Sequence, residues 1–551
     1  MGWFKKSLLL VGGTFTAAYI YDNTFGDGIT NRVIRTLSTL LLISADYKMN
    51  FGEEKDVKAL HERNSQRLYD LVTTNKGLFI KIGQMIAIQG FMLPSQYHEK
   101  FRLMFDQAPE DSWKSCDATL RNELGDNYRE EIFSSLEEKP MASASIAQVH
   151  RGILKENGRE VAVKIQKRSV IKQVNADFMT YKLTMKLYEW IFGLPLTAFA
   201  NYVCDKTSEE LHFKHELSNA QKMSKLIDSD PEFKGKVYVP EYYPEISTDK
   251  VLIGEWINGD SIGEYLKLKD KGYDIKQLME TITKVYSRQV FDWGVVHCDL
   301  HPGNLLVRKM PIAPDSSTLR QQLVILDHGM YEVFSDEFRY QYSEFWKYTM
   351  ERNSEKVIEV MRSWGINMDD MMLPVSGTGD VSEYKEQIHK FQEMSYYKRQ
   401  VLLKKRMKTL LENLDILPMC LTFVMRSMRI VQALNRNFGS PCNRVGILVS
   451  EANRTVRLHN YRKPQSMKDY WNELNRIFTY LGMRLLTTLM FELNRISKFF
   501  VHYVMFWSSA DAKDIEQVYE DEMTERGRGM GFENLPTAED ILQEPEPMGN
   551  M

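Results

Sequence analysis

The chain has 551 residues, 43% hydrophobic and 26% charged, which is enough for about two to four domains, or one large two-lobed domain, with a substantial core. The formal net charge of −3 excludes the globally basic field of many nucleic-acid-binding proteins, so no nucleic-acid partner is expected. The five cysteines stand far apart and form no CxxC pair, which argues against a zinc site and against a disulfide framework.

The first elements in the chain are apolar. Lys5 and Lys6 precede an apolar run at 8–21 that contains no acidic residue. This run is shorter than the ~20 residues of a full membrane span, so a mitochondrial targeting segment, a short membrane anchor and a secretory signal are alternatives. The missing disulfide pattern disfavours secretion. A second apolar stretch, TLSTLLLISADY at 36–47, is predicted to be a packed helix.

The next region, 51–135, is predicted to be mostly helical. It contains the motif KIGQ, in which Lys81 and Gln84 are three positions apart. Residues at this spacing share one face of a helix, so both side chains can point at one target.

A strand-rich region follows. IAQVHRGIL and EVAVKIQ are β-branched runs on either side of ENGR, an Asn-Gly turn signal, and are predicted to pair as an antiparallel hairpin. A long helical stretch is predicted at 170–226, before two further strands at KVYVPEYY and KVLIGEW.

The start of this region, ASASIAQV, can be compared with the glycine-rich template G-x-G-x-x-G-x-V of kinase phosphate loops. Ala142, Ala144 and Ala147 stand where the template has glycine, and Val149 is kept. A Cβ restricts positive φ and limits the approach of backbone N–H groups to phosphates. We therefore expect a stiffer loop with altered nucleotide positioning.

The motifs VAVK and HCDLHPGN predict phosphoryl-transfer chemistry. Lys164 ends VAVK, the position at which a kinase lysine neutralises the α- and β-phosphates. In HCDLHPGN, Asn304 follows Asp299 by five positions, and LDHG with Asp327 comes later. An aspartate in such a loop orients the acceptor hydroxyl, while the asparagine and the second aspartate offer hard oxygen ligands to Mg²⁺.

The equipment of a regulated protein kinase is missing around these motifs. Cys298 stands where many protein kinases have an Arg that pairs with a phosphorylated activation loop. No Ala-Pro-Glu follows LDHG. The pattern favours ATP hydrolysis, or phosphorylation of a small or lipidic acceptor, over a peptide substrate.

Helices are predicted to dominate from residue 259, except for LLVRK and LVILDHG, two short runs that flank a polar loop. The apolar stretch 475–507 mixes aromatic residues with Arg, Lys and His. It can lie on a membrane surface or pack as an ordinary amphipathic helix. The acidic tail after it is predicted to be disordered.

Six segments, in order, resemble the UbiB family of atypical, protein-kinase-like proteins, also called aarF-domain kinases: KIGQ, ASASIAQVH, VAVK, ELHFKHE, HCDLHPGN and LDHG. The resemblance implies an α+β, two-lobed protein-kinase-like fold with an N-terminal helical extension and a helical C-terminal tail. The implied domains begin with a targeting or membrane-associated segment at 1–50 and a helical extension at 51–135. The N-lobe at 136–258 and the C-lobe at 259–460 follow. The last domain, at 461–551, is a helical, membrane-facing region with the acidic tail.

The resemblance also implies roles for individual residues. The catalytic residues are Asp299, Lys164 and Glu216, with Glu216 as the helix partner of Lys164, and the metal ligands are Asn304 and Asp327. The nucleotide-contacting residues are Ala142, Ser143, Ala144, Ser145, Ala147, Val149, Lys164 and Glu255. The regulatory residues, which join the extension to the active site, are Lys81, Gly83, Gln84, Glu210 and His212.

One of these positions departs from the family pattern. His212 stands where the family has an Asp that engages the extension. A histidine can donate a hydrogen bond or carry a positive charge, whereas an aspartate only accepts. We expect the contact to Lys81 to be weaker or pH-sensitive.

The implied cofactors are ATP and Mg²⁺, and the implied partners are a nucleotide, a lipid or membrane surface, and membrane proteins. We expect an atypical kinase or ATPase that acts in mitochondrial lipid or coenzyme Q homeostasis at the inner membrane. One alternative is a catalytically weak pseudokinase scaffold at a membrane, which the all-Ala loop favours. Another is a small-molecule kinase of the aminoglycoside or choline type, which shares the H-x-D-x-x-x-x-N loop.

Overall fold

The computed structural model describes residues 28–88, 94–101, 110–311, 319–351, 353–364, 393–412 and 420–459, with scattered positions between 467 and 493. The helices are α1 Ile29–Asn50, α2 Val57–Asn75, α3 Leu78–Ile88, α4 Ser95–Phe101, α5 Trp113–Leu124, α6 Tyr128–Glu131, α7 Arg168–Phe192, α8 Thr197–Leu211, α9 Phe213–Ser229, α10 Tyr265–Asp270, α11 Ile275–Arg288, α12 Asp336–Met350, α13 Ser354–Ser363, α14 Tyr396–Glu412, α15 Cys420–Asn437 and α16 Arg444–His459.

The strands are short and mostly antiparallel. They are β1 Phe133–Leu136, β2 Ala142–Ser143, β3 Ala147–Leu154, β4 Glu160–Gln166, β5 Val237–Tyr238, β6 Val251–Glu255, β7 Asp260–Ser261, β8 Val295–His297, β9 Leu305–Pro311, β10 Leu319–Ile325 and β11 Tyr331–Val333. Strand-rich and helix-rich segments follow one another along the chain, so the predicted α+β class is confirmed.

The chain divides into two compact units. Unit 1 comprises Met1–His215, Glu241–Trp256 and Ser395–Glu412, and unit 2 comprises Glu216–Pro240, Ile257–Met394 and Asn413–Met551. The predicted apolar run at 8–21 and the end of the predicted membrane-facing stretch, 494–507, lie outside the described residues.

Unit 1 contains an antiparallel sheet in the order β1-β3-β4-β6, with β2 paired to β3. The predicted hairpin around ENGR is confirmed, because β3 and β4 pair across this turn. Gly158 adopts a φ of 67°, a left-handed conformation that a side chain would strain. The buried face of the sheet packs on helix α5 in a core that includes Val161, Val163 and Ile253.

The helices of unit 1 form a layer of their own. Leu40 and Ile43 of α1 pack against Leu71 of α2, so the predicted packed helix at 36–47 is confirmed. Within the described part of the chain, none of the helices combines the length and the apolar character that crossing a bilayer requires. The helical stretch predicted at 170–226 is divided, because the first helix ends at Gly193, where φ is 65°.

Unit 2 contains a sheet in the order β5-β10-β9-β7 and a separate β8-β11 pair. LLVRK lies in β9, and Leu323–Ile325 of LVILDHG form the end of β10; the two strands pair in antiparallel register. Both strands are longer than predicted, because β9 continues to Pro311 and β10 already begins at Leu319, within the segment that was predicted to be a loop. KVLIGEW supplies β6, whereas KVYVPEYY supplies only Val237–Tyr238 as β5, which runs parallel to β10. Helix α11 is anchored in the core of this unit, where the hydroxyl of Tyr286 donates to the Val424 carbonyl of α15 at 2.8 Å.

Candidate active site in two parts

The HCDLHPGN loop of unit 2 is closed by its own asparagine. Strand β8 leads into the loop, and a short 3₁₀ turn at Pro302–Asn304 ends it. The side-chain amide of Asn304 donates to the Asp299 carbonyl at 3.0 Å. The Leu326 N–H donates to the Asn304 carbonyl at 2.9 Å, which joins the loop to the start of LDHG. The two motifs are therefore neighbours in this unit.

His297 also joins the HCDLHPGN loop to the LDHG segment, through hydrogen bonds of both its ring nitrogens. Its Nδ1 accepts the Asp299 N–H at 3.0 Å, and its Nε2 lies 2.6 Å from the Asp327 carbonyl. With Nδ1 as an acceptor, the ring is neutral and its Nε2–H donates. Complete burial lowers the pKa of His297, which favours the neutral ring.

The LDHG segment orients its carboxylate through its own backbone. Asp327 Oδ1 accepts the Gly329 N–H at 2.8 Å. A Cβ at Gly329 would lie only 3.1 Å from this oxygen, so the glycine leaves room for the close approach of the Asp327 carboxylate. Glu216 is buried on α9, from which Asn219 also donates to the His328 carbonyl at 3.1 Å.

His328 is a buried anchor of this segment. Its Nδ1 bonds the Tyr331 hydroxyl at 2.8 Å and its Nε2 bonds the Ile325 carbonyl at 3.1 Å. Both ring nitrogens therefore hold backbone or core groups in place.

Helix α15 supplies a cation to the HCDLHPGN loop. Arg426 Nη2 lies 2.9 Å from Asp299 Oδ1, and both side chains are largely buried. The neighbouring Ser427 hydroxyl donates to the His297 carbonyl at 3.1 Å. Cys298, where protein kinases have Arg, is buried with its thiol 3.4 Å from the Val296 carbonyl. The loop thus receives its positive charge from a distant helix.

Asn304 and Asp327 suit a Mg²⁺ ion by the chemistry of their donor atoms. Asn304 uses its nitrogen to bond the Asp299 carbonyl, so its oxygen is the atom that can ligate a hard cation. Across the residues described, no group of three or more His, Cys, Asp or Glu side chains could hold a metal ion. Nucleotide phosphates and water would have to complete the coordination shell.

Lys164 belongs to unit 1, in the row of residues that crosses the sheet. Val149 of β3 lies opposite Lys164 of β4, and Ala142 of β2 lies opposite Val149. Residues that lie directly opposite one another in antiparallel strands share a face. The ammonium group of Lys164 is 5.4 Å from the centre of the Phe213 ring. Lys164 and Glu216 fall in different units, and their pairing stays a prediction.

The ASASIAQV segment is a tight hairpin between β2 and β3. The Ala144 N–H donates to the Ala147 carbonyl at 2.8 Å. Ala142, Ala144 and Ala147 all avoid positive φ, so alanine fits here without strain. The half-buried Ser143 and Ser145 lie in and just after β2.

Lys167 fastens this hairpin, a role that the sequence did not reveal. Its N–H donates to the Ile146 carbonyl at 2.9 Å, and its ammonium group donates to the Ala144 carbonyl. Lys167 is almost fully buried, and burial lowers the pKa of its ammonium group. The only sequence signal was a second Lys three positions after Lys164.

The polar residues of AQVH are also structural. Gln148 Oε1 accepts the Asp111 N–H at 3.0 Å, and its Nε2 lies 3.0 Å from His150 Nε2. His150 Nδ1 then lies 2.9 Å from the Glu137 carbonyl. This buried chain ties β3 to the segments that precede the sheet.

The register places Glu255 on a different face from Lys164. Glu255 lies opposite Val161, on the alternate face of the sheet. Its carboxylate accepts the Glu241 N–H at 3.3 Å. Ser143, which lies opposite Gln148, is also on the face that alternates with the Lys164 row.

The predicted regulatory residues are only partly assembled. Lys81 of α3 pairs with Glu210 of α8 at 2.9 Å, in a mostly buried ion pair. Gly83 is buried in the same helix, and the side chain of Gln84 lies outside the described part of the structure. His212 is exposed just beyond α8, with its ring 6.1 Å from that of His215. The structure does not bring His212 into the Lys81 pair.

Comparisons with known proteins identify the family. The model of the ABC1 atypical kinase-like domain matches residues 103–361. An ABC1 family protein of Purpureocillium lilacinum is 33% identical over 493 residues, which cover 83% of this chain and 82% of that protein. The chain belongs to the ABC1 family. The prediction of a UbiB or aarF-type, kinase-like protein is thereby confirmed.

Further relatives support the same ABC1 assignment. An ABC1 family protein of Schizosaccharomyces pombe is 34% identical over 459 residues, 82% of this chain and 84% of that protein. AarF domain-containing protein kinase 1 of Gallus gallus is 33% identical over 362 residues, 63% of this chain and 67% of that protein. The ABC1 match at 103–361 includes Lys164, Asp299 and Asp327, whereas Lys81 and Arg426 lie outside it.

Proposed function

We propose that this ABC1 protein is an atypical kinase or ATPase that binds Mg²⁺ and ATP and acts on a lipidic acceptor in mitochondrial lipid or coenzyme Q homeostasis. The observation that carries the proposal is the hydrogen-bonded set in unit 2, in which His297 and Asn304 tie Asp299 to the segment of Asp327. The buried polar groups of this set are hydrogen-bonded, as polar groups inside a protein must be, and the bonds fix the backbone around Asp299 and Asp327.

The roles follow from the chemistry of each group. Asp299 orients the acceptor hydroxyl and receives its proton. Asn304 and Asp327 would hold Mg²⁺, which would supply positive charge beside the nucleotide phosphates. Lys164 and the hairpin at 142–149 bind the remaining phosphates and the nucleotide.

The surroundings of LDHG favour a small or lipidic acceptor. Strand β11 and helix α12 follow the motif directly, so little chain remains for the platform on which protein kinases bind a peptide. The place of the kinase Arg is filled by the buried Cys298. Arg426 supplies positive charge next to Asp299, where it can hold the base in position or bind an anionic acceptor.

Inner-membrane association is part of the proposal. Its support is the apolar run at 8–21 behind Lys5 and Lys6, and the apolar, basic stretch at 475–507. Among the described positions of that stretch, Phe478, Leu485 and Leu493 are exposed.

The test is an ADP-release assay with and without lipid vesicles, together with the melting temperature in Mg²⁺ and ATP. We expect Mg·ATP to raise the melting temperature, because a ligand that binds only the folded state stabilises it. Asp327→Asn should remove the dependence of nucleotide binding on Mg²⁺. A wild-type protein with neither a thermal shift nor ADP release would refute the proposal.

A second candidate, a catalytically weak scaffold at the membrane, is favoured by one observation. Arg426 occupies Asp299 with an ion pair, and a base that is held in this way is a poorer acceptor of protons. A cell that lacks the gene distinguishes the two functions. Rescue by the double variant Asp299→Asn, Asp327→Asn would favour the scaffold, and failure of an expressed, folded double variant would favour the enzyme.

A further inference from the structure

We propose that helices α1, α7 and α14 of unit 1 form a face that docks on a bilayer surface containing acidic phospholipid. This inference deepens the membrane association in the proposed function by naming the surface and the lipid class. Four observations carry it: exposed apolar stripes, internal placement of the acidic residues, convergence of lysines, and continuity with the apolar N-terminal segment.

The apolar stripes lie on two helices. On α7, Met179, Leu183 and Trp190 recur at helical spacing on the exposed side, and Trp190 is 82% exposed. On α1, Leu41 and Met49 are exposed in the same way, and Met49 is 70% exposed. Large apolar side chains at this spacing are costly in water and suit a lipid or protein surface. A tryptophan with this exposure is typical of a membrane interface.

The two helices run side by side in the same direction. The Arg32–Asp177 ion pair joins their first halves. Further along, the Tyr188 hydroxyl donates to the Leu40 carbonyl at 3.0 Å. Lys48 then lies 5.6 Å from the Phe192 ring centre near the ends of both helices. Met49 and Trp190 therefore occur at the same end of the pair.

Each acidic side chain of this helix pair bonds to another group within unit 1. Asp46 pairs with Arg63 and Arg67 of α2 at 2.6 and 2.5 Å, respectively. Asp177 is buried against Arg32, and burial raises the pKa of its carboxyl. Glu189, the remaining acid, accepts the Thr197 N–H at 3.0 Å.

The exposed charges of the pair are basic. Lys48 on α1, and Arg168 and Lys186 on α7, are exposed. Their positive charge complements a surface of acidic phospholipid, at which each Lys or Arg contributes about 1 kcal/mol. The face therefore combines apolar side chains with an excess of basic charge. Two acidic residues, Glu53 and Glu54, are exposed just beyond α1, and Glu53 is paired with Lys398 of α14 at 2.9 Å.

Helix α14 adds lysines next to the end of α1. Lys404 and Lys408 are exposed one turn apart, and Val401 adds an exposed apolar side chain. Partial burial, together with the charges of Lys48 and Lys408, lowers the pKa of Lys404. Like charges that accumulate in this way favour an anion between them.

The choice of a membrane over a second copy rests on charge and chain order. Two identical basic faces would repel each other across a symmetric interface. The chain immediately before α1 contains the apolar run at 8–21, preceded by Lys5 and Lys6. The apolar segment at 8–21 and the basic, apolar face that begins with α1 are both suited to a membrane surface.

The test measures flotation of the full chain with vesicles of phosphatidylcholine, either alone or mixed with phosphatidylglycerol. We expect the wild type to float with the mixed vesicles. Lys48→Glu, Lys404→Glu should lower its partition coefficient about tenfold or more. The matched control, Lys269→Glu, Lys276→Glu, reverses two exposed lysines of unit 2 and should change the coefficient much less.

A polarity-sensitive fluorophore locates the contact. It is attached to Trp190→Cys or, as a control, to Leu266→Cys, an exposed site in unit 2, and labelled wild type gives the background of the native cysteines. We expect a blue shift at position 190 with mixed vesicles only. Flotation without a shift at position 190, or equal flotation of the charge-reversed variant, would overturn the proposal. A shift that grows with protein concentration without vesicles would also overturn it, in favour of a second copy.

The measurements distinguish failure of the docking face from failure of the proposed kinase or ATPase function. ADP release without vesicles should be the same in the charge-reversed variant and the wild type, since neither lysine belongs to the catalytic set. If no variant releases ADP but flotation follows the expected pattern, the kinase or ATPase function falls and the docking face stands.

Discussion

The hydrogen bonds and ion pairs within each of the two parts of the candidate site are of different kinds. In unit 2, the bonds join segments that are far apart in the sequence, such as His297 with Asp327 and Arg426 with Asp299. In unit 1, the hairpin between β2 and β3 is held mainly by Lys167, which follows β4 directly. The part in unit 2 is a network of tertiary contacts, whereas the part in unit 1 is a local turn that one lysine side chain, Lys167, stabilises.

The difference teaches where this ABC1 chain keeps kinase chemistry and where it departs from it. The two carboxylates and the amide of unit 2 are the residue types that phosphoryl transfer uses. The hairpin of unit 1 replaces flexible glycine by alanine and obtains its rigidity from a buried lysine. Substitutions in unit 2 should therefore change turnover, whereas substitutions in the hairpin should change nucleotide affinity.

The largest effect is expected from Asp299→Asn. The amide cannot accept the proton of the acceptor, so the turnover number for ADP release should fall about 10²- to 10⁴-fold. The affinity for Mg·ATP should stay near that of the wild type. The control is Asp270→Asn at an exposed position of the same unit. Equal turnover in the two variants would remove Asp299 from the mechanism.

Arg426→Ala should have the next largest effect. The variant leaves the partly buried Asp299 without its ion pair, which should destabilise the fold by ~3 kcal/mol or less. Loss of orientation should lower the turnover number roughly 10²-fold, with a small change in the KM for ATP.

Two further variants show whether the effect of Arg426→Ala comes from the loss of its charge next to Asp299. Arg426→Lys should recover part of the turnover because it restores the charge. Arg457→Ala, an exposed arginine on α16, is the control for loss of charge. A rise in turnover in Arg426→Ala would mean that the ion pair inhibits the base instead of positioning it.

Lys167→Met should affect binding more than turnover. The ammonium group that holds the Ala144 carbonyl is lost, and a hydrogen bond to a charged group is worth ~1.5 kcal/mol or more. We expect the KM for ATP to rise about tenfold, with a smaller change in the turnover number. Lys139→Met, at an exposed position before β2, serves as the control. An unchanged KM would show that the hairpin keeps its shape without the clamp.

The smallest effect is expected from Ala144→Gly. Glycine widens the backbone freedom of the unfolded chain and should cost ~0.4–1 kcal/mol of stability. The looser loop should change the affinity for ATP about threefold, which titration calorimetry can measure. Ala45→Gly, in the exposed face of α1, should cost stability without changing nucleotide affinity. Identical affinities in wild type and Ala144→Gly would contradict the stiffness argument.

Local patterns predicted a good part of the fold. The Asn-Gly turn between two β-branched runs predicted the β3–β4 hairpin, and the runs on either side of the polar loop became β9 and β10. The order of the motifs predicted the family. The break of the long helical stretch at Gly193 was missed, although Gly193 is followed by Pro195 and this combination commonly ends a helix.

The candidate site was predicted less completely. Asp299, Asn304 and Asp327 are joined as the motifs suggested, whereas Glu255 lies on the other face of its sheet and His212 is exposed. The face of Glu255 depends on strand register, and the position of His212 depends on where α8 ends. Neither property can be read from a motif.

The sequence by itself determined the elements and the chemical groups of this protein, because turn residues, hydrophobic periods and motif spacing act within a few residues. Only the tertiary structure decided that Arg426 contacts Asp299, that the Lys167 side chain bonds the hairpin, and that Asp46 and Asp177 are buried in ion pairs. These contacts depend on how the chain brings distant segments side by side. No local pattern records that information.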